Sequence, residues 1–374
     1  MEEDQNLLLS IIVPVYNVEE YIRPCMESIF QQGLDEDCFE VIIVNDGTKD
    51  HSMEVIQDII EQHKNITVLN QENQGLSVAR NNGIAKAKGE YILMPDSDDL
   101  LIENSLKPLL EKAIETKVDL VVADFRVMTN EEIGSAYNYS QKQETELNFT
   151  EKTGIQLFLE DLNPIQSFVW RVLYKREFLQ KSHISFFPGI TYQDRPFIHE
   201  CYLRANKCLK ASHLLYIYRK GHSTAASFAL TEKKAKDYCM SIVQIWDLAK
   251  KLNMSQEVLQ KLYENVFRCC SILMTRVSHE NNDYTSRNRI VDYFNEIAPQ
   301  IYLRNGIKQR MYFFLLKKMP HTFINCRYIY AKVYEERIHV YLKLFFQNLP
   351  VCQNNKSTTN CLIKWIERLT VDRQ

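Results

Sequence analysis

The sequence predicts an α/β fold in which a mostly parallel sheet, with helices on both faces, is followed by a mainly α-helical C-terminal region. Three observations carry this. Short apolar runs alternate with segments of helical periodicity over the first hundred residues, the pattern of parallel strands joined by right-handed crossovers. Each apolar run stops at a polar pair or cluster. Beyond about Ser227 the strand-like runs give way to long stretches of helical periodicity.

Leu8 to Val15 is a nearly unbroken apolar run ending in Tyr16-Asn17, as expected of a strand buried on both faces. Tyr21, Ile22, Cys25 and Ile29 then recur at helical spacing. A second strand, Phe39 to Val44, stops at Asn45-Asp46-Gly47-Thr48. A helix from about Ser52 to His63, a strand at Ile66 to Leu69, a helix from about Leu76 to Lys88 closed by Gly89, and a strand ending at Met94 follow. In such sheets ligands gather outside the carboxyl ends of the strands. Here those ends carry Tyr16-Asn17, Asn45-Asp46, Asn70 and Asp96 to Asp99, four polar ends in one crevice.

The last end is the most informative. The apolar stretch Tyr91-Ile92-Leu93-Met94 runs through Pro95 into Asp96-Ser97-Asp98-Asp99, three carboxylates with no basic residue among them. Such a cluster is costly unless a divalent cation neutralises it. Hard oxygen ligands suit Mg²⁺ or Mn²⁺ and leave positions open for phosphate oxygens. An enzyme handling a nucleoside diphosphate is therefore expected. The alternative is a solvated acidic turn capping the next helix, which begins near Glu103.

Four ordered blocks bear on that choice: Ser10-Ile11-Ile12-Val13-Pro14-Val15-Tyr16-Asn17; Val44-Asn45-Asp46-Gly47-Thr48-Lys49-Asp50; Asn73-Gln74-Gly75-Leu76-Ser77-Val78-Ala79-Arg80-Asn81-Asn82-Gly83; and Asp96-Ser97-Asp98-Asp99. Together they resemble the successive signatures of family 2 glycosyltransferases, strongly over the first hundred residues and more loosely to about Ser227. The resemblance implies a GT-A (Rossmann-like) fold, a nucleotide-sugar donor, a divalent metal and inversion at the anomeric carbon. It divides the chain into a catalytic domain, 1–227, and a helical domain, 228–374, serving acceptor, oligomer or membrane-surface contacts.

By the same resemblance Pro14, Tyr16, Asn17, Asp46, Arg80 and Asp96 bind the donor nucleotide. Tyr16 stacks on the base or is an ordinary strand-end tyrosine; Asp46 accepts from the base ring N–H, which favours uracil or thymine, or forms an Asx turn before Gly47, or both. Asn45 stands where a second aspartate is commoner. Arg80 meets the diphosphate or base carbonyl, or is a surface arginine. Asp98 is the metal ligand, Asp96 contacts the ribose or a metal-bound water, and Asp99 orients the loop or caps the next helix. Ser167-Phe168-Val169-Trp170-Arg171-Val172-Leu173-Tyr174-Lys175 resembles an acceptor-side segment, with Trp170 either a sugar platform or core, and Arg171 where a small polar residue is usual.

Gly189-Ile190-Thr191-Tyr192-Gln193-Asp194-Arg195-Pro196 resembles the segment with the catalytic carboxylate, although glutamate is commoner at the Gln193 position. Asp194 is the candidate general base. Inverting transfer is a single in-line displacement, so a carboxylate must take the acceptor hydroxyl's proton; the competing reading is an ion pair with Arg195 or a helix cap. By the same resemblance Arg219 and His222, in Tyr218-Arg219-Lys220-Gly221-His222-Ser223-Thr224, are candidates to contact the diphosphate or to help bind the metal.

The bulk properties of the whole chain agree. A chain of 374 residues exceeds one typical domain, and a net charge of −3 gives no footprint for nucleic acid. Ten scattered cysteines lack zinc or disulfide-framework spacing, which fits reduced thiols. With an acidic start and no apolar run long enough to span a bilayer, the catalytic domain is expected in the cytoplasm. Arg304 to Lys318 holds five basic residues and no acidic one among apolar residues. It reads as a helix on an anionic membrane, beside a lipid-linked or glycan acceptor of polysaccharide biosynthesis, or as one packed on its own domain or on a second copy. Two other classes are a nucleotidyltransferase, whose Gly-rich basic loop after the first strand is missing here, and a catalytically silent scaffold, at which only Asn45 and Gln193 hint.

Overall fold

The computed structural model describes residues 7–135, 147–221, 230–280, 283–301 and 307–335. The chain divides into two compact units, residues 1–228 with 244–265, and residues 229–243 with 266–374.

The first unit is built on β1 (Leu9–Val15), α1 (Ile22–Phe30), β2 (Phe39–Asn45), α2 (Ser52–Val55), α3 (Gln57–Gln62), β3 (Ile66–Asn70), α4 (Leu76–Lys86) and β4 (Tyr91–Leu93). All seven residues of β1 are buried, as the unbroken apolar run requires, and β1 pairs in parallel with β2 and β4 while β2 pairs in parallel with β3. The helix expected from Ser52 to His63 is two pieces broken at Ile56, whose side chain is buried.

Beyond β4 come β5 (Leu100–Leu101), α5 (Leu106–Thr116), β6 (Leu120–Thr129), α6 (Asn130–Ser135), β7 (Phe149–Lys152), α7 (Gly154–Gln156), β8 (Val172–Lys175), α8 (Arg176–Ser182), α9 (Asp194–Arg204) and β9 (Cys208–Lys220). The nine strands form one mixed sheet in the order β3-β2-β1-β4-β8-β6-β9-β5, with β7 also on β9. Strand β8 is antiparallel to both β4 and β6, so the start of β8 lies at the same sheet end as the close of β4. That reversal brings Trp170 beside the acidic loop.

Gly83 lies one turn beyond Arg80 on α4, and a Cβ there would overlap the Ile12 side chain. The bare glycine lets α4 press on β1, which carries Arg80 into the interior. The second unit contains the first part of α10 (Glu232–Lys251), the later part of α11 (Gln256–Glu280), then α12 (Tyr284–Ile297), α13 (Ile307–Lys318) and α14 (Pro320–Glu335). Its core includes Cys270, Leu273, Phe294, Tyr312 and Leu316, and the Tyr312 hydroxyl donates to the Cys270 carbonyl at 3.2 Å. Both α10 and α11 bury one face, as their periodicity predicts. No described helix is long and apolar enough to cross a membrane.

Helix α9 contains a buried histidine whose environment fixes its protonation. His199 Nδ1 lies 2.7 Å from the Arg195 carbonyl and Nε2 lies 3.3 Å from the Asn265 amide, so Nδ1 donates, Nε2 accepts and the ring is neutral. Burial lowers its pKa to about 4. Between that value and the ordinary 6.5 the unfolded chain holds a proton that the folded chain refuses. The contribution is therefore complete above pH 6.5 and lost as pH falls towards 4, amounting to about 3 kcal/mol. Urea midpoints from pH 7 to 4.5 should fall steeply in the native protein and less steeply in His199→Leu.

Candidate functional site

The four polar strand ends expected from the sequence lie along one end of β1, β2, β3 and β4, and their side chains are held by a dense network. Asn17 takes up a left-handed backbone conformation, φ 54°, which asparagine tolerates. Its backbone N–H donates to Thr48 Oγ1 at 2.8 Å and its Oδ1 accepts from the Lys49 N–H at 3.1 Å. Asp50 ties the same two loops through the Glu19 N–H at 2.9 Å. Pro14 is buried beneath this junction while Tyr16 is 40% exposed at its rim, leaving a ring face for a planar partner.

Asn45, where an aspartate was the commoner expectation, donates from Nδ2 to Asn70 Oδ1 at 2.9 Å and accepts the Thr48 N–H at 3.0 Å. An aspartate would lose the first of these. Asp46 is buried, and its carboxylate accepts from Gln71 Nε2 at 2.7 Å, Asn73 Nδ2 at 3.2 Å, and the backbone N–H groups of Gln74 and Gly75, each at 2.9 Å. Four donors fill the lone-pair sites of one carboxylate. Gly75, at φ 87°, turns the loop so that both backbone donors converge.

Arg80 is fully buried. Its Nη1 donates to Asp194 Oδ1 at 2.7 Å and its Nη2 to Asp96 Oδ1, while the guanidinium lies over Phe186 at 5.3 Å. Arg80, expected at the nucleotide, thus forms an ion-paired bridge between the acidic loop and the first residue of α9. Asp194 retains solvent access, with about a quarter of its side chain exposed. Beside it Gln193 is buried, with Oε1 lacking a hydrogen-bond partner among the described residues.

In the acidic loop, one carboxylate oxygen from each of Asp96, Asp98 and Asp99 lies within 4.8 Å of the others. Burial holds Asp99 well above the ordinary carboxylate range, with Asp98 and Asp96 adding to the shift. Asp96 is raised by the same cause, against the opposing pull of Arg80. Asp99 Oδ1 accepts the Arg219 N–H at 2.7 Å, and among the described residues its buried Oδ2 has no geometric hydrogen-bond partner. A buried, unpartnered carboxyl oxygen beside two further carboxyl groups is the donor set a hard divalent cation satisfies. These residues fit a metal.

Arg219 reaches back into the same loop. Its Nε donates to the Asp98 carbonyl at 2.7 Å and its Nη1 to Asn130 Oδ1 at 2.8 Å, with the guanidinium 5.0 Å from the Tyr21 ring centre. His222 lies outside the described residues. Trp170 is 1% exposed and stacks on Tyr216 at 4.1 Å and Phe168 at 4.6 Å, so the core reading applies to the ring itself. Tyr216, which the sequence did not single out, accepts the Asp96 N–H on its hydroxyl at 2.9 Å. Only its place in an alternating strand signalled that it points inward.

A strand-end crevice with a carboxylate cluster on a mixed, GT-A-like sheet defines a glycosyltransferase. The comparisons make the assignment. A family model described as glycosyl transferase family 2 matches residues 10–181. The chain is 33% identical over 236 residues to an uncharacterized glycosyltransferase, EpsJ, of Bacillus subtilis, covering 62% of this chain and 67% of that protein. It is 31% identical over 225 residues to the glycosyltransferase GlyG of Streptococcus pneumoniae, covering 57% and 71%. The crystal structure of S. aureus TarS residues 1–349 in complex with UDP-GlcNAc matches with a TM-score of 0.64 at 19% identity, over 89% of this chain and 93% of that one. The chain belongs to glycosyltransferase family 2 and has the GT-A fold.

Replacing Arg80 tests the bridge. Arg80→Met leaves two carboxylates facing a neutral side chain in the interior and should cost about 3–5 kcal/mol, read as a lowered urea midpoint. Arg80→Lys keeps the charge but cannot fork to both oxygens, so it should fall between the two.

Proposed function

We propose that this enzyme transfers a sugar, with inversion, from a UDP-sugar to a hydroxyl of a glycan or lipid-linked acceptor in polysaccharide biosynthesis. The observation that carries the reading is the Arg80 bridge, which joins the acidic loop to Asp194 within one crevice. The bound UDP-GlcNAc of the S. aureus TarS complex and the name of a weaker relative, the poly(ribitol-phosphate) β-glucosyltransferase of Bacillus spizizenii, support the donor and acceptor classes.

Tyr16 stacks on the base. Asp46 and the 71–75 loop it organises read the base edge, with the incoming ring N–H taking the place of the Gln71 or Asn73 amide on the carboxylate. Pro14 and Asn17 shape the floor beneath, and Asp96 faces the ribose. Asp98, with Asp99 and Asp96 around it, holds Mn²⁺ or Mg²⁺. When bound, that ion offsets negative charge on the diphosphate leaving group. Arg219 keeps the metal loop in shape through the Asp98 carbonyl and the Asp99 carboxylate.

Asp194 is the general base, accepting the acceptor hydroxyl's proton as that oxygen forms its bond to the anomeric carbon. Arg80 orients it, because one carboxylate oxygen is fixed by Nη1. Such a base is worth about 10²- to 10⁴-fold in rate. Asp194→Asn should lose activity on that scale while keeping a metal-dependent thermal shift with UDP. Asp98→Ala should lose the shift as well as turnover. Wild type that releases no UDP from any UDP-sugar, with or without Mn²⁺, would overturn the donor assignment.

The second unit supports work at an anionic membrane surface. Residues 229–243 and 266–374 carry 20 Lys and Arg against 10 Asp and Glu, whereas residues 1–228 and 244–265 carry 25 against 38. On α13 the buried Tyr312, Phe313 and Leu316 pack into the unit, which accounts for three of the seven apolar residues in the 304–318 segment. Phe314 stays 59% exposed between the exposed Arg310 and Lys318, one turn to either side. An aromatic ring flanked by cations suits an interface with anionic headgroups. Co-sedimentation with phosphatidylglycerol vesicles, weakened by salt and by Phe314→Glu and absent with phosphatidylcholine alone, is the expected result. Equal recovery with both lipids would remove the membrane from the proposal.

A further inference from the structure

A second polar cavity lies alongside the site, and the reaction as described so far does not use it. It encloses about 230 Å³ and is lined by Asp124, Asp161, Asn163, Gln166, Phe168, Arg171, Tyr202 and Lys210 over an apolar floor that includes Ile198. The cavity and its lining belong wholly to the first unit.

Its electrostatics select against the ligands that dominate the donor crevice. Arg171 Nη2 lies 3.3 Å from Asp124 Oδ1, and Arg171 Nε donates to the Ala123 carbonyl at 2.7 Å. Asp161 is paired with both Lys210 and Lys152. The lysines hold the Asp161 carboxyl below its usual range despite its burial. Each charge lining the cavity thus has an opposite charge beside it. A phosphate would have to pull a cation from its partner, and a metal ion would have to do the same to a carboxylate. A neutral ligand carrying many hydroxyls asks for neither.

The uncharged lining supplies what such a ligand needs. The Gln166 amide and Asn163 Nδ2 make no hydrogen bond to any described residue, Asn163 Oδ1 being spent on the Ile165 N–H at 3.2 Å. Phe168, half-buried, adds an aromatic surface backed by Trp170. Paired donors and acceptors around one aromatic ring form a site for a pyranose, whose CH face is apolar and whose rim is polar.

Position connects this cavity to the reaction. Ile198 and Tyr202 follow Asp194 on α9 by one and two turns, so the lining begins about 6 Å and extends about 12 Å along the helix from the base. The geometry points to an acceptor subsite, a pocket for a neutral sugar unit of the acceptor adjoining the unit whose hydroxyl reacts. This inference rests on Asp194 as the base, and it moves the sugar-binding role expected of Trp170 to Phe168 and the residues around it. It also gives Arg171 a reason to depart from the small residue usual there, since the guanidinium neutralises Asp124 and closes the cavity wall.

Saturation-transfer NMR with the methyl glycosides of glucose, galactose and N-acetylglucosamine tests it, in the presence of diamagnetic Mg²⁺ and enough UDP to fill the donor site. At least one glycoside should give ring-proton signals with wild type. Binding should weaken about tenfold in Gln166→Ala and in Asn163→Ser. Gln166 is exposed and serine keeps an acceptor for the Ile165 N–H, so both variants should fold with unchanged thermal midpoints. Signals as strong in both variants as in wild type, or no signal with any of the three glycosides, would overturn the subsite. The UDP thermal shift in the same samples reports separately on the donor site. Its loss with glycoside binding intact would count against the donor assignment and not against the cavity.

Discussion

The structure depends first on a guanidinium placed where water cannot reach it. Arg80 is fully buried, and its charge is tolerable only because Asp96 and Asp194 meet it from two sides. At a separation of about 4 Å and an effective dielectric constant near 20, each such pair is worth about 4 kcal/mol in Coulomb energy before desolvation is counted. Much of that offsets burial of the charges, so the bridge contributes position more than net stability. Its partners are 16 and 114 residues away in sequence. The loop that closes β4 and the start of α9 are thereby held in one crevice, and Gly83, by letting α4 approach β1, is what admits the arginine.

A second arginine holds the same loop from β9, at the same end of the sheet. Arg219 is presented by β9 and joins the Asp98 carbonyl, the Asp99 carboxylate and Asn130. Three residues earlier on that strand Tyr216 holds the Asp96 N–H and stacks on Trp170. The loop that carries three mutually repelling carboxylates is thus fixed by a backbone donor, a hydroxyl and two guanidinium groups. Preorganisation of this kind matters because a loop that had to collapse on the ion would spend binding energy on ordering itself.

Much of this was legible in the sequence, and the remainder fails for identifiable reasons. Strands β1 to β4 announce themselves because a segment buried on both faces must be apolar throughout. The acidic loop does so because uncompensated carboxylates are rarely placed together without cause. Strand β8 gives no such signal: its insertion between β4 and β6 in the opposite direction depends on contacts distant in sequence. The same limit applies to Arg80, whose residue type suggested a phosphate contact while its burial depends on Gly83 and on a carboxylate over a hundred residues away. Trp170 was ambiguous in isolation, as aromatics between valines are, and the stack of Phe168, Trp170 and Tyr216 resolves it by removing its exposed face. The apolar residues of α13 were read correctly as amphipathic, but only burial separates Phe314 from Tyr312 and Phe313.

The two departures that hinted at a silent protein acquire physical reasons instead. Asn45 donates to Asn70 and accepts from Thr48; an aspartate would retain the second bond and turn the first into a contact between acceptors. Gln193 is buried immediately before Asp194, with no partner for its carbonyl oxygen among the described residues. A glutamate at that position would place another anion in the interior, next to a carboxylate that already shares one guanidinium with Asp96. Repulsion would then raise the pKa of whichever group gave way first. An uncharged amide leaves Asp194 as the carboxylate that Arg80 orients.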